Sequence, residues 1–250
     1  MVNVHCDINQ MGTTMDVREL SQQDLDALAQ FDTPTICNAL ERLDASNQGR
    51  GYTTKPVLCG FPAQKPIVGY ARTAMIRSAQ PLGMAKDKLR ALQNDYYRYI
   101  AAGTRPSIAV IQDLDVDAAG YGAFWGEVQS AIHVGLGAVG LITDGSVRDL
   151  DQWAPGFQFL AACVAPSHGY AKPVAFGTEV QVFGMRVSPG DLIHADRHGA
   201  VVVPMALARA VPDAARAIAT REGKILAVVR KPDCTAEQLV AVFAELDAEH

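Results

Sequence analysis

Cysteine is sparse in this sequence and poorly placed for framework chemistry. Cys6, Cys37, Cys59, Cys163 and Cys234 are odd in number and far apart, with no CxxC pair to hold zinc or run thiol exchange. Reduced thiols are expected, and a chain of 250 residues can bury its own core without disulfides. Basic residues are not in surplus either: 22 Lys and Arg face 27 Asp and Glu, giving a net charge of −5 and a pI near 5.6. That balance lacks the positive field that a phosphate backbone demands, which argues against nucleic acid as a direct ligand. No apolar run reaches the roughly 18 to 20 residues that span a bilayer. Met1–Gln10 has neither the cationic start nor the apolar stretch of a secretory leader, so a cytoplasmic location is expected. No internal repeat or low-complexity tract is visible. What the chain does have is apolar material, 49% hydrophobic against 20% charged with a mean hydropathy of +0.05, which excludes disorder for most of its length.

The length exceeds one average domain and falls short of two. The expected organisation is an N-terminal arm over residues 1–20, an α/β core over 21–204 and a helical extension over 205–250. Ser21-Gln22-Gln23-Asp24 reads as a capping box ahead of Leu25 and Leu28. In Asp32-Thr33-Pro34, Thr33 can cap a second helix with Pro34 at its first position. Gly49 to Pro66 reads as an exposed loop, Ile67–Ile76 as a strand and Met84–Ile100 as a helix. Beyond them the pattern predicts strand Ser107–Gln112, helix Glu127–Val134, and strands Val139–Thr143 and Phe159–Val164. Short strands follow at Glu179–Phe183, Met185–Val187, Leu192–Ala195 and Ala200–Val203. Pro204 opens a helical tail that Pro212 should break, and Thr235-Ala236-Glu237-Gln238 caps a last helix. A βαβ centre followed by consecutive short strands argues for a mixed α/β/β sandwich.

Gly135-Leu136-Gly137-Ala138-Val139-Gly140 matches the dinucleotide pattern GxGxxG. That fingerprint needs strand, turn and then helix, whereas here a helix ends and a strand follows, so the glycines read as a helix stop and a tight turn. His194-Ala195-Asp196-Arg197-His198 has the residue types of a metal cluster, but His198 lies beyond the turn and need not converge with the other two; a polar hairpin is the simpler reading. His168 and Tyr170 occupy a loop after a strand, where specificity residues often project.

The more informative group is Gly126-Glu127-Val128-Gln129 at a helix start, with Arg148-Asp149 after a strand end. Uncapped N–H groups and a positive dipole end let the Val128 and Gln129 amides bind a small carboxylate. Asp149 can ligate a hard divalent cation, which prefers oxygen donors and keeps its waters, and Arg148 can stabilise an adjacent oxyanion. On these residues alone, an Arg–Asp surface pair after a buried strand competes with that reading.

Glu127, twenty intervening residues and Arg148-Asp149 resemble the hallmark of the class II 4-hydroxy-4-methyl-2-oxoglutarate aldolases and the related RraA-type proteins, with Glu where the aldolases tend to have Asp. Asp32-Thr33-Pro34-Thr35-Ile36-Cys37-Asn38-Ala39-Leu40, Val68-Gly69-Tyr70-Ala71-Arg72-Thr73 and the stretch from Ser188-Pro189-Gly190-Asp191 to Val203-Pro204 extend the resemblance over roughly Asp32 to Pro204. It implies a β/β/α swivelling-domain sandwich assembled as a homotrimer or hexamer, with sites between subunits. It also implies Mg²⁺ or Mn²⁺ on Asp149, Glu127 acting through a metal-bound water, Arg148 facing a pyruvate enolate, and Val128 and Gln129 amides on the substrate carboxylate. The implied activity is metal-dependent retro-aldol cleavage of a 4-hydroxy-2-oxo acid, with oxaloacetate decarboxylation through the same enolate. Two alternatives stay open: a noncatalytic RraA-type regulator that binds an RNA-degrading enzyme, and a metal enzyme of the same fold with other chemistry. Tyr121-Gly122-Ala123-Phe124-Trp125 puts large aromatics beside the expected pocket.

Overall fold

The computed structural model describes residues 19–248 apart from 116 and 118. The expected arm through Val17 therefore lies outside the described residues, as does Cys6; the other four cysteines are free thiols. The chain runs α1 (Gln22–Leu28), α2 (Thr33–Leu43), β1 (Leu58–Cys59), β2 (Ile67–Arg77), α3 (Lys86–Ala101), β3 (Ser107–Asp113), α4 (Glu127–Gly135), β4 (Ala138–Val147) and β5 (Gln158–Val164). It continues through β6 (Lys172–Phe176), β7 (Val180–Val182), β8 (Met185–Val187), β9 (Leu192–Asp196), β10 (Gly199–Val203), α5 (Val211–Val229) and α6 (Ala236–Ala248).

The main sheet has the order β1-β5-β4-β3-β2-β9-β10, with β6 also on β2. Its centre, β2 to β5, is parallel and its margins are antiparallel. Strands β2, β3 and β4 are buried in nearly every position because both faces are covered. In β3, Ile108 and Val110 face the β7–β8 hairpin cluster of Val180, Val182, Met185 and Val187. Ala109 and Ile111 of the same strand face a second cluster with Tyr96 and Ile100 of α3, Trp125 and Phe157. A third core joins α1, α2 and α5 to Val68, Tyr70, Leu192 and Val201. The result is a mixed α/β sandwich of hairpin, sheet and helices, as the sequence pattern predicts.

Local differences have local causes. Asp32, not Thr33, caps α2, because its carboxylate accepts the Thr35 N–H at 3.0 Å and Thr33 is already helical. Pro212 starts α5 instead of breaking a helix, since at the second helical position its missing N–H has no partner to lose. The turn after α4 depends on Gly137, with φ of 93°, while Gly135 remains helical. The boxes at Ser21–Asp24 and Thr235–Gln238 form as expected, each with reciprocal bonds between cap and third residue.

Candidate active site

Strand β4 continues past Thr143 to Val147 and delivers Arg148 and Asp149 directly beyond its end. Arg148 is held by its backbone from both sides: its N–H donates to Trp125 O at 3.0 Å, and its carbonyl accepts Trp153 Nε1–H at 2.8 Å. Asp149 then adopts a left-handed conformation with φ of 54° and ψ of 45°. A non-glycine residue costs roughly 1–3 kcal/mol there, and the turn aims the carboxylate back at α4. Its Oδ2 accepts the Glu127 N–H at 3.4 Å, so the first peptide of α4 and the end of β4 meet. Gly126 makes that approach possible: a Cβ there would sit 2.4 Å from Asp149 Oδ2 and 3.1 Å from Arg148 Cγ.

The site is electrostatically lopsided. Gly126 caps α4 without a side chain, so Asp149 meets only the Glu127 N–H and the Val128 and Gln129 N–H groups stay at the positive helix end without a side-chain cap. Arg148 Nη1 lies 3.7 Å from Asp149 Oδ1 with both side chains about one-third exposed, a weak pair. Arg148 Nε is buried and has no hydrogen-bond partner. An orphaned guanidinium donor beside uncapped amides is a site prepared for an anionic ligand. A cavity of about 310 Å³ opens on these groups, lined by Gly126, Val128, Gln129, Arg148, Phe124, His168 and Lys172 among others.

Behind this wall, α3 grips α4. Tyr97 OH bonds the Gln129 side-chain amide at 3.0 to 3.2 Å, and Tyr96 OH meets His133 Nε2 at 2.8 Å. His133 Nδ1 lies 2.7 Å from Gln129 O, which fixes the proton on Nδ1, and burial pushes the ring's pKa down to about 4, so it stays neutral.

The structure thus brings Val128, Gln129 and Arg148 to one cavity; Asp149 and Glu127 are not among its lining residues, and they meet each other where Asp149 Oδ2 accepts the Glu127 N–H, with Glu127 exposed at the first position of α4. Among the aromatics expected near the pocket, Phe124 lines it, Trp125 is buried in the core, and Tyr121 is 60% exposed. His168 and Tyr170 part company: His168 lines the cavity, and exposed Tyr170 is not among its lining residues. Lys172 carries no sequence signal. It reaches the cavity because β6 pairs with β2 at Arg77, a long-range contact that no local pattern announces. Asp144 lies elsewhere, in a cavity of about 540 Å³ with Lys55 and Asp113. Burial pushes its pKa up to about 6, although Oδ1 accepts the Asp113 N–H at 2.7 Å.

The His194–His198 segment forms a latch. Buried His194 bonds Phe31 O through Nε2 and Thr33 Oγ1 through Nδ1, each at 3.0 Å, and desolvation pushes its pKa down to about 4. Asp196 accepts the Thr33 N–H at 3.0 Å and the His198 N–H at 2.8 Å, and His198 Nδ1 lies 3.1 Å away. His198 therefore does converge with Asp196, across the tight turn, in a polar hairpin that fastens the start of α2.

Among the described residues, no three or more His, Cys, Asp and Glu side chains cluster as a metal cage. Asp149, with Glu127 beside it, instead offers the sparse oxygen set that suits Mg²⁺, which keeps several waters and takes one or two carboxylates plus substrate oxygens. The donor set fits a hard cation and not a zinc cage.

A family model described as Aldolase/RraA matches residues 24–202. The chain belongs to the RraA-like family. A relative from Halalkalibacterium halodurans, named as a candidate 4-hydroxy-4-methyl-2-oxoglutarate aldolase, is 27% identical over 193 residues, covering 74% of this chain and 80% of its own. Among solved structures, an uncharacterized protein from Pseudomonas syringae pv. tomato aligns with a TM-score of 0.66 at 22% identity, covering 93% of this chain and 99% of that one. Streptomyces coelicolor RraAS2, described as an unusual member of the RNase ES inhibitor RraA family, aligns with a TM-score of 0.63 at 22% identity, covering 82% and 96%. At these identities the structural likenesses establish the RraA-like fold. No helix among the described residues is long and apolar enough to cross a membrane.

Proposed function

We propose that this RraA-like chain is a divalent-metal-dependent lyase that cleaves a 4-hydroxy-2-oxo acid by retro-aldol chemistry, releasing pyruvate, and that decarboxylates oxaloacetate through the same enolate. The observation that carries this reading is the convergence of Arg148, with its orphaned Nε, and the Val128–Gln129 start of α4 on one cavity, with the Asp149 carboxylate held against the first N–H of that helix. The Val128 and Gln129 amides bind the substrate's C1 carboxylate, as helix N-termini bind anions generally. Asp149, with Glu127 acting through a water, would hold Mg²⁺ or Mn²⁺, which would supply Lewis-acid chemistry at the 2-oxo group. Arg148 places a guanidinium where negative charge collects on the enolate oxygen, so stabilisation is preorganised and no Schiff-base lysine is required. Lys172 adds a second cation to the cavity lining and favours an anionic substrate.

The family model is described as Aldolase/RraA, so membership alone does not separate the lyase from a noncatalytic regulator, and it is the anion-binding geometry of the cavity that favours the lyase. We further assign the site to residues 21–204, with the 1–20 arm and the 205–250 extension serving a cytoplasmic homotrimer or hexamer. Light scattering tests that assembly, and a fully active monomer overturns it. The function itself is tested by pyruvate release from a panel of 4-hydroxy-2-oxo acids with and without Mg²⁺. Metal-dependent release is expected, and none from any member refutes the lyase.

A further inference from the structure

We propose that His168 is the general base of the cleavage, removing the proton from the substrate's 4-hydroxyl group. This assignment rests on the lyase reading and adds to it the proton acceptor, a role left unfilled where Asp149 and Glu127 serve the metal, Arg148 is cationic and the α4 amides hold the carboxylate.

The first argument is the tautomer. His168 Nδ1 lies 2.7 Å from the carbonyl oxygen of Gly169, which can only accept, so the ring proton sits on Nδ1 and Nε2 keeps a free lone pair. The second is elimination within the cavity lining. Arg148 and Lys172 are charged donors, Gln93 and Gln129 are amides without basicity, the Gln129 amide is already bound to Tyr97 OH, and the remaining lining residues are apolar or glycine. His168 is the one lining side chain that presents an imidazole lone pair to the cavity.

The third argument is placement. Although the His168 side chain is exposed, its loop is tied at several points: Ala123 N–H donates to Ser167 O at 2.9 Å, Tyr170 N–H to Ser78 O at 2.9 Å, and Ala171 N–H to His168 O at 2.9 Å. Gly122 packs so closely that a Cβ there would lie 2.5 Å from His168 O. A loop fastened to two neighbouring loops presents its imidazole from a rigid base, as general base catalysis requires.

The step balances without a co-reactant. Nε2 takes the hydroxyl proton as the C4–O bond becomes a carbonyl and the C3–C4 bond breaks. The electron pair passes to C3 and delocalises onto the C2 oxygen, where Arg148 stabilises it. The imidazolium then returns the proton to C3, giving pyruvate and the free carbonyl product. Oxaloacetate decarboxylation forms the same enolate but has no hydroxyl proton to remove.

That difference supplies the test. His168→Gln should lose about 10²- to 10⁴-fold in kcat for retro-aldol cleavage, the usual contribution of a general base, while oxaloacetate decarboxylation falls far less. Imidazole in solution should restore part of the cleavage activity of His168→Ala. A His168→Gln enzyme that keeps its cleavage rate, or loses both activities in parallel, overturns the general-base assignment and leaves the lyase standing. A wild-type protein with neither activity overturns the lyase reading, and the base assignment with it.

Discussion

Gly126→Ala tests the contact between the end of β4 and the start of α4. The backbone there is extended, with φ of −173°, so alanine carries no conformational penalty and the effect is one of space. The added methyl would lie 2.4 Å from Asp149 Oδ2 and 3.1 Å from Arg148 Cγ. Restoring ordinary van der Waals separation requires the carboxylate to retreat by about 1 Å. Asp149 has little slack, because its left-handed backbone is followed at once by a 3-10 turn, Leu150–Gln152, and preceded by the doubly bonded Arg148. The bond from Glu127 N–H is lost first. Overpacking of this kind costs about 1–3 kcal/mol of stability, and a misplacement near 1 Å costs about 10²-fold in turnover. Gly223→Ala in α5 is the control: a Cβ there meets nothing within 4 Å, so it should raise stability by about 0.5–1 kcal/mol and leave activity alone. Thermal melts, Mg²⁺ titration and pyruvate release on both variants decide the matter. Wild-type metal affinity and turnover in Gly126→Ala would refute the claim that Asp149 acts from this position.

Arg148→Lys should lose most of its turnover while remaining folded, because a flexible ammonium cannot replace a planar guanidinium whose backbone is fixed by Trp125 and Trp153; near-normal kcat would place enolate stabilisation elsewhere. Stability should fall on acidification. His133 and His194 titrate near pH 4 when folded and near 6.5 when unfolded, so the unfolded chain binds more protons in that window and stability is lost as pH drops through it. At about 1.4 kcal/mol per pH unit, each ring contributes about 3 kcal/mol. Asp144, held near 6 by burial, works in the opposite sense and offsets part of this. Urea unfolding at pH 7 and pH 4.5 should show the net decline, and equal or greater stability at pH 4.5 would contradict the neutral, buried state of the two rings.

Elements whose burial is local were legible in the sequence. β3, β9 and β10 stand out as short apolar runs between turn residues, and α1 and α6 are marked by side chains that bond back to their own caps. β6 was not legible, because Lys172-Pro173-Val174-Ala175-Phe176 opens with a charge and a proline and owes its strand state to pairing with β2. The same limit governs the site. The spacing from Glu127 to Arg148-Asp149 spans one helix and one strand, so its geometry follows from short-range order. Lys172 joins through the sheet, and the separation of His168 from Tyr170 depends on how three loops pack.

Formation and stabilisation of a pyruvate enolate in this cavity is read by deuterium exchange into the methyl group of pyruvate in D₂O, followed by proton NMR. Exchange needs no aldol substrate and reports the enolate alone. Exchange should require Mg²⁺ or Mn²⁺ and disappear in Asp149→Ala, which removes the carboxylate assigned to the metal. No exchange by the metal-loaded wild-type protein, or undiminished exchange by Asp149→Ala, would contradict this assignment.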